Sequence, residues 1–320
     1  MSTNIDLKDK KIIYELDIDS SQSASQIAKK IGLSKEVVNY RINNLLKSGI
    51  INYFYLFLNT LALGYFHYKI YIKLQDISLK KEEELMEYFI KNKNCIWVAN
   101  CRGNWDLAVS VLAKTPSEFD KIYQRIIQDY GRNILEKNIL MIESAPTFNR
   151  NYLRDASKRV ELKYKQIEKI IDLDEIDKKI LAVMSINSRI SIVELMNKIN
   201  LTRDVISYRI KRMKEEGLIQ GFRTSFNLNR IGYSYYKILL TFKNLDEKRE
   251  KDLINFCRFS KNITQYIRLI GNWDAEIEFE VRDDKELHVL LSDIRSNFSD
   301  IIRNFEQLLV YEKKLNYYPF

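Results

Sequence analysis

The chain has 320 residues, which is long for one domain and suits two to four. Lysine and arginine number 52 against 43 aspartates and glutamates, and the resulting net charge of +9 favours a polyanionic partner such as nucleic acid. The sequence contains no apolar run long enough to span a membrane, so we expect a cytoplasmic protein without membrane contact, whose three cysteines stay reduced.

The sequence is one unit written twice. The tetrapeptide GNWD occurs at Gly103 to Asp106 and again at Gly271 to Asp274, 168 positions later. At the same offset, and without a gap, DKKI at residues 9–12 falls on DKKI at residues 177–180. Each copy is long enough to bury a core of its own.

The first 50 residues of each copy predict three short helices, because apolar residues recur there at helical spacing. Between the second and third helices of copy one, Gly32 suits a left-handed turn and Ser34 suits an N-cap. Copy two has Asn200 and Thr202 at the same places: asparagine also tolerates the left-handed turn, and threonine also suits an N-cap. This spacing indicates a helix-turn-helix, whose second helix would enter a DNA groove.

The exposed side of each groove-entering helix supplies candidate DNA contacts. The candidates are Ser34, Lys35, Asn39, Tyr40, Arg41 and Asn43 in copy one, and Thr202, Arg203, Ser207, Tyr208, Arg209, Lys211 and Lys214 in copy two. Arg41 and Arg209 are expected to hold phosphate or to brace the fold. The predicted core residues are Val37, Ile42, Leu45, Val205, Ile210 and Met213. A helical unit with a merely polar outer face is the alternative.

The two helices differ in charge. Residues 202–214 carry a net +4, whereas the matching residues 34–46 carry +1. We therefore expect more phosphate contacts from copy two and a preferred DNA site that need not be a true palindrome.

After Gly64 and Gly232 the apolar period changes from 3.6 to 2, as expected for strands. The predicted order is β-α-β-β-α-β, a ferredoxin-like sandwich with helices on one sheet face and the GNWD turn between the two central strands. In copy two, Ala275 to Val281 alternate apolar residues with glutamates, which predicts a half-buried strand. The glutamate row is expected to be solvated or ion-paired rather than metal-binding.

These patterns predict an α+β chain with two copies of a winged helix-turn-helix domain, each followed by a ferredoxin-like domain. The expected segments are a first winged domain at 1–60, a ferredoxin-like domain at 61–145, a helical linker at 146–172, a second winged domain at 173–228 and a second ferredoxin-like domain at 229–320. The linker is predicted to be helical because apolar residues recur at steps of three and four from Leu153 to Ile171. Its basic face is either solvated or in contact with DNA phosphate.

The motifs together resemble a known family. Residues 27–51 read IAKKIGLSKEVVNYRINNLLKSGII, and copy two repeats them as MNKINLTRDVISYRIKRMKEEGLI. After these segments come LGY at 63–65, IGY at 231–233 and the two GNWD turns. The same modules in the same order, twice, resemble the Lrp/AsnC, or feast/famine, family of prokaryotic regulators. The resemblance implies a transcriptional regulator whose partner is double-stranded DNA.

Members of that family usually carry one copy per chain and form dimers in which two ferredoxin-like sheets face each other. The duplication departs from this pattern, and it implies that one chain supplies both halves as a pseudo-dimer. Further homo-oligomers are left open.

In the family, the neighbourhood of the GNWD-like turn contributes to a site for a small effector, often an amino acid. The resemblance places such a site at Gly103, Asn104, Asp106, Gly271, Asn272 and Asp274. A purely structural turn explains the same residues: glycine permits the turn, asparagine accepts positive φ, tryptophan packs, and aspartate bonds its own backbone. We expect the structural role to come first.

No catalytic site, metal or cofactor is expected. His67 and His288 are solitary and are interpreted as surface or packed aromatics. One enzymatic alternative resembles the same architecture, namely the decarboxylases that act on sirohaem. Those enzymes need cationic and imidazole side chains around a polycarboxylate, and Asn52 and Gln220 begin the strands where arginine would be expected. An architectural or sensor protein without specific DNA binding is the other alternative.

Overall fold

The computed structural model describes residues 5–154, 161–162 and 170–315. Copy one begins with three helices and a strand, and continues with four strands and two helices in the predicted β-α-β-β-α-β order. Its elements are α1 (Leu7–Ile18), α2 (Ala24–Ile31), α3 (Lys35–Lys47), β1 (Ile51–Leu58), β2 (Phe66–Leu74), α4 (Leu79–Lys91), β3 (Cys95–Arg102), β4 (Leu107–Ala113), α5 (Pro116–Tyr130) and β5 (Ile134–Ser144).

Copy two repeats this order after two short strands, β6 (Thr147–Phe148) and β7 (Glu161–Leu162), which pair with each other. Its elements are α6 (Glu175–Ile186), α7 (Ile192–Ile199), α8 (Arg203–Glu215), β8 (Ile219–Phe226), β9 (Ser234–Phe242), α9 (Glu247–Phe259), β10 (Ile263–Ile270), β11 (Ala275–Val281), α10 (Asp284–Phe298) and β12 (Ile302–Leu315). The α+β class and the doubled winged and ferredoxin-like architecture predicted from the sequence are confirmed.

The predicted turn between the second and third helices is present in both copies. Gly32 has φ 71° and Asn200 has φ 54°, so both residues adopt the left-handed conformation. Ser34 caps α3, because its hydroxyl accepts a hydrogen bond from the amide of Val37 at 3.3 Å. In the described structure Thr202 makes no such side-chain bond, so the prediction of a capping hydroxyl fails in copy two.

Each ferredoxin-like half forms a four-stranded antiparallel sheet, in the order β3-β4-β2-β5 in copy one and β12-β9-β11-β10 in copy two. The sheets join at both edges, because β3 pairs with β12 and β5 pairs with β10. Eight strands therefore form a closed ring, with the helices of each half on its outer side. Closure removes the open edges that two separate sheets would have.

A second contact joins the two winged units. Strands β1 and β8 pair antiparallel as a two-stranded sheet, in a register that sets Phe54 opposite Thr224. Each of these strands follows the third helix of its own unit, so the ladder ties α3 and α8 into one body.

Closure of the ring corrects the prediction that β11 is half-buried. Ala275 and Ile277 lie under the helices of copy two, as predicted for the apolar face. Glu276 and Glu280 on the other face are 0% and 1% exposed, because that face lines the inside of the ring and not the solvent.

Of the predicted linker helix at 146–172, residues 155–160 and 163–169 lie outside the described residues. In the described part of that segment, Thr147–Phe148 and Glu161–Leu162 form short strands, and Asn151–Leu153 forms a 3-10 turn. Among the helices that the structure describes, none is long and apolar enough to cross a membrane.

Candidate DNA-binding surface and interior charge cluster

Helix α3 presents one face to its own unit and the other to solvent. Val38, Ile42 and Leu45 are buried in the core of the first winged unit. On the opposite face Tyr40 is 67% exposed. The other exposed candidates on this helix and at its cap are Ser34, Lys35, Asn39 and Asn43.

Helix α8 repeats this arrangement. Ile206 and Met213 are buried, and Tyr208, which matches Tyr40 in the repeat, is likewise 67% exposed. The exposed candidates around it are Thr202, Arg203, Ser207, Lys211 and Lys214. The two copies thus offer matching polar faces with a tyrosine at the same place.

The sequence interpretation placed two valines wrongly. Val37 and Val205 were expected in the core, but they are 38% and 39% exposed, and the neighbouring Val38 and Ile206 point inwards instead. One residue along a helix turns the side chain by about 100°, so adjacent apolar residues cannot both face the core. Ile210 is only partly buried.

Arg41 and Arg209 are held by acidic side chains at the start of each winged unit. The Nη1 atom of Arg41 donates to Asp6 and Asp9, at 2.8 Å in each case. Arg209 donates from Nη1 to Asp174 at 2.6 Å and to Asp177 at 3.0 Å. These ion pairs favour the bracing role over the phosphate-binding role.

The positive charge of α8 is partly neutralised. Arg212 donates a hydrogen bond to Asp177, and Asp177 also accepts one from Arg209. Lys211 is 74% exposed and lies 3.7 Å from Glu215, and Lys214 lies over the ring of Phe222, 4.4 Å from its centroid. The count of +4 from sequence therefore overstates the charge that α8 can offer to phosphate.

The two GNWD turns connect β3 to β4 and β10 to β11. Asp106 accepts a hydrogen bond from the backbone amide of Leu74 at 2.7 Å, and Asp274 accepts one from Phe242 at 2.7 Å. The prediction that these aspartates bond their own turn is wrong, because both reach the end of a neighbouring strand. Lys73 adds an ion pair to Asp106 at 3.0 Å.

The glycines of the turns touch the opposite half of the ring. Gly103 has φ 139°, and a Cβ atom there would lie 2.9 Å from the carbonyl oxygen of Gln307. Gly271 has φ 145°, and its Cβ would lie 2.5 Å from Leu140 Cδ2. Asn104 and Asn272 do not adopt the positive φ expected for them.

The tryptophans of the turns are buried but differ in their polar contacts. Trp105 is 4% exposed, and its indole nitrogen donates to Glu306 of β12 at 3.1 Å. Trp273 is 7% exposed, and its indole nitrogen has no hydrogen-bond partner among the residues that the structure describes. The two turns therefore bury their tryptophans alike but differ in whether the indole nitrogen is hydrogen-bonded.

The inside of the ring holds a charge cluster that the sequence did not reveal as such: Lys69, Lys237, Glu276 and Glu278. Lys69 Nζ donates to both oxygens of Glu276, at 2.8 and 2.7 Å. Lys237 Nζ donates to Glu276 and, at 2.5 Å, to Glu278. The hydroxyl of Tyr71 donates to Glu276 at 2.5 Å. We refer to these four charged residues as the interior charge cluster.

Burial and pairing shift the pKa values in this cluster. Burial lowers the pKa of Lys69 to about 8, although Glu276 opposes the shift. Burial would raise the pKa of Glu276, but Lys237 and Lys69 hold it well below its usual value. Burial likewise opposes the charge of Lys237, whose pKa is nevertheless raised by Glu276 and Glu278. The glutamate row was expected to be either solvated or ion-paired, and the structure favours ion pairing for Glu276 and Glu278.

Neither histidine lies in a metal site. Burial, reinforced by the charge of Lys69, lowers the pKa of His67 to about 3, and its Nε2 atom is enclosed. His288 is exposed on α10. Within the described ranges, no group of three histidine, cysteine, aspartate or glutamate side chains could hold a metal ion.

A second buried ion-pair group joins the first winged unit to the second sheet. Arg150 donates to Asp17 of α1 at 2.6 Å and to both oxygens of Glu280 on β11, at 2.8 and 2.9 Å. Tyr152 also bonds Glu280, and Arg223 of β8 lies 3.4 Å from Asp17. The position of the first winged unit is thereby fixed on the ring.

The winged helix-turn-helix units of both copies are similar to known DNA-binding domains. A sequence profile of winged helix-turn-helix DNA-binding domains matches residues 5–52 and 173–220. An uncharacterised helix-turn-helix transcriptional regulator of Pyrococcus abyssi is 42% identical over 114 residues, which cover 35% of this chain and 76% of the relative. The proline dehydrogenase transcriptional activator of Rhizobium radiobacter is 28% identical over 133 residues, covering 41% and 84%.

One solved structure is similar over nearly the whole chain. The sirohaem decarboxylase NirDL matches 97% of this chain and 94% of its own, with a TM-score of 0.64 and 11% sequence identity. At that identity the likeness shows the fold alone. The likeness spans both copies of the unit in this chain, whereas the two regulators above align with 35% and 41% of it.

Proposed function

This chain belongs to the Lrp/AsnC family of transcriptional regulators, as two tandem copies of the family unit, and we propose that it binds DNA sequence-specifically as a single-chain pseudo-dimer. The observation that carries the proposal is the matched exposure of α3 and α8, each with a tyrosine 67% exposed. The β1–β8 ladder supports it, because it holds the two helices in one body, as a dimer interface would.

In this proposal the two helices enter successive turns of the major groove. The centres of the half-sites then lie about 34 Å apart, or at a multiple of that distance. Lys35 and Arg203 occupy the same place in the repeat and suit guanine, whereas Asn39 suits adenine. The exposed methyl groups of Val37 and Val205 suit thymine methyls.

The two half-sites need not have the same sequence. Asn43 in copy one is matched by Lys211 in copy two, and both side chains are exposed. An amide and an ammonium group prefer different base edges, so the bound site is expected to be an imperfect palindrome.

Selection from a random duplex library, followed by fluorescence anisotropy at fixed salt, tests the proposal. The pair Tyr40→Ala and Tyr208→Ala should weaken binding to the selected site, whereas Lys80→Ala, an exposed change on α4, should not. Recovery of no preferred sequence, with equal affinity for all duplexes, would instead support the architectural alternative.

A small effector is the second part of the proposal. The GNWD turns lie at the seams between the halves, and the buried indole nitrogen of Trp273 has no hydrogen-bond partner in the described structure. We expect Gly271, Asn272 and Asp274 to be nearer to such a ligand than their counterparts in copy one, because Trp105 is already bonded to Glu306. A thermal-shift screen of the amino acids, repeated with Trp273→Phe, tests this: a shift that survives the substitution contradicts the placement.

A sirohaem-decarboxylase-like activity is the second candidate function, and the fold likeness over 97% of the chain supports it. The ring interior argues against it, because Lys69 and Lys237 are already bonded to glutamates and are not available to carboxylates of a macrocycle. Titration with an iron-uroporphyrin decides: a change in the visible spectrum at equimolar protein would favour the enzyme over the regulator.

A further inference from the structure

The interior charge cluster is contributed unequally by the two copies. Lys69 and Lys237 occupy the same position in the repeat, 168 residues apart, so each copy supplies one lysine. Both carboxylates come from copy two, where Glu276 and Glu278 stand at the positions of Ala108 and Ser110 in copy one. The cluster as it stands contains two cations and two anions, and is neutral.

Among the four charged residues of the interior charge cluster, the ion pair that crosses between the halves is the one from Lys69 to Glu276. Both side chains are buried, at 3% and 0% exposure, and they lie 2.7 Å apart. The bond of Lys237 to Glu278, by contrast, stays within copy two. Copy one therefore depends on copy two for the counter-ion of its buried lysine.

We infer that the interior charge cluster specifies which halves pair, by making the copy-one with copy-two pairing the only charge-balanced one. A pair of copy-one halves would bury two lysines with no carboxylate. A pair of copy-two halves would bury two lysines with four glutamates. A buried charge without a partner is strongly destabilising, so both like pairings are disfavoured.

The second ion-pair group does not discriminate in this way. Copy one contributes Arg150 and Asp17, and copy two contributes Arg223 and Glu280, so each half brings one cation and one anion. Its charge is balanced in every pairing. Selectivity by charge therefore resides in the interior charge cluster.

The same reasoning applies to partners outside the chain. A half that offers only apolar and lysine side chains to the ring interior cannot neutralise Lys69 of copy one. A separate single-copy protein of similar fold would pair with copy one only if it carried carboxylates at the positions of Glu276 and Glu278. The inference rests on the intrachain pairing and not on DNA binding.

The test uses the full chain with a protease site inserted within residues 163–169, cleaved after folding. The nicked protein is held at a urea concentration just below its unfolding midpoint, so that halves exchange, and native mass spectrometry then measures the three possible pairings. Random exchange would give about half of the complexes as copy one paired with copy two, and the other half as two copies of the same kind. With the unmodified cluster, complexes of two copies of the same kind should be at least about tenfold rarer than in that random mixture.

Two double variants separate discrimination from stability. Lys69→Met with Glu276→Gln leaves every pairing balanced, so the pairings should approach the random mixture. Lys237→Met with Glu278→Gln removes a buried pair of the same kind but leaves the like pairings unbalanced, so it should keep the selectivity of the parent.

The inference is overturned if the Lys69–Glu276 variant remains as selective as the parent, or if the parent itself pairs at random. Ala108→Glu with Glu276→Ala gives a second way to balance every pairing, should the first variant not assemble. Loss of all complexes in both would also overturn it, because the cluster would then be needed for pairing as such. None of these readouts involves DNA, so they are independent of the proposed regulatory function.

Discussion

Gly103 approaches the backbone of Gln307 so closely that a Cβ atom on the glycine would lie 2.9 Å from the carbonyl oxygen. The contact joins β3's turn to β12, and therefore joins the two halves of the chain. Its counterpart is Gly271, which lies against Ile139 and Leu140 of β5. Both glycines have the positive φ that side chains disfavour.

Gly103→Ala and Gly271→Ala should therefore each lower the free energy of unfolding by about 1–3 kcal/mol, since overpacking and backbone strain add together. Gly131→Ala is the matched control, because Gly131 has φ −55° and its nearest side-chain atom would be 3.4 Å away. Urea unfolding followed by circular dichroism measures all three. Equal stability of the three variants would contradict the close approach.

Asp106→Ala and Asp274→Ala should also destabilise the chain. Each carboxylate accepts a backbone amide at 2.7 Å from a neighbouring strand, and removal of such a charged hydrogen bond costs about 1.5–3 kcal/mol. Thermal unfolding tests this expectation. If melting is unchanged while the response to an amino acid is lost, the turns serve effector binding before structure.

Glu276→Gln should lower the free energy of unfolding by about 3–5 kcal/mol at neutral pH, because two buried lysines then share one remaining carboxylate. The sign of the pH dependence follows from the lowered pKa of Glu276. Its contribution is complete above its unfolded value of 4.5 and is lost as the pH falls through the folded value.

The stability difference between Glu276→Gln and the parent should consequently narrow as the pH falls below about 4.5. Urea midpoints measured from pH 7 to pH 3 give the comparison, with Glu84→Gln on the exposed face of α4 as control. A difference that stays constant over this range would show that folding does not shift the pKa of the Glu276 carboxyl.

Lys211→Ala with Lys214→Ala should reduce the logarithmic salt slope of DNA binding by up to about 1.8, at roughly 0.9 for each lost phosphate contact. Lys211 is well exposed, and Lys214 also contacts the ring of Phe222, so folding must be verified first. The positionally matched pair in copy one, Asn43→Ala with Leu46→Ala, should change the slope less. Equal salt slopes for the two double variants would mean that the charge of α8 does not give copy two more phosphate contacts than copy one.

Local backbone chemistry made the winged units predictable. Gly32 and Asn200 are different residues that share a left-handed conformation, and that requirement is visible in sequence. The error at Val37 and Val205 has an equally local cause, because a run of two apolar residues does not show which one faces the core.

Long-range pairing explains what the sequence could not provide. The alternation in β11 correctly predicted a strand, but the burial of Glu276 depends on Lys69, 207 residues earlier in the chain. The interior charge cluster would have been suggested by one signal, the recurrence of a lysine at the same place in both copies. The partner strands of β3 and β5 lie in the other copy, and no local pattern specifies them.

The closed ring also has a consequence during synthesis. When the first ferredoxin-like half leaves the ribosome, the strands that will pair with β3 and β5 have not yet been made. At about 5–20 residues per second, those two backbone edges stay unpaired for roughly ten to thirty seconds. During that interval the nascent chain offers two templates for strand addition by neighbouring polypeptides, and completion of β12 closes the second of them.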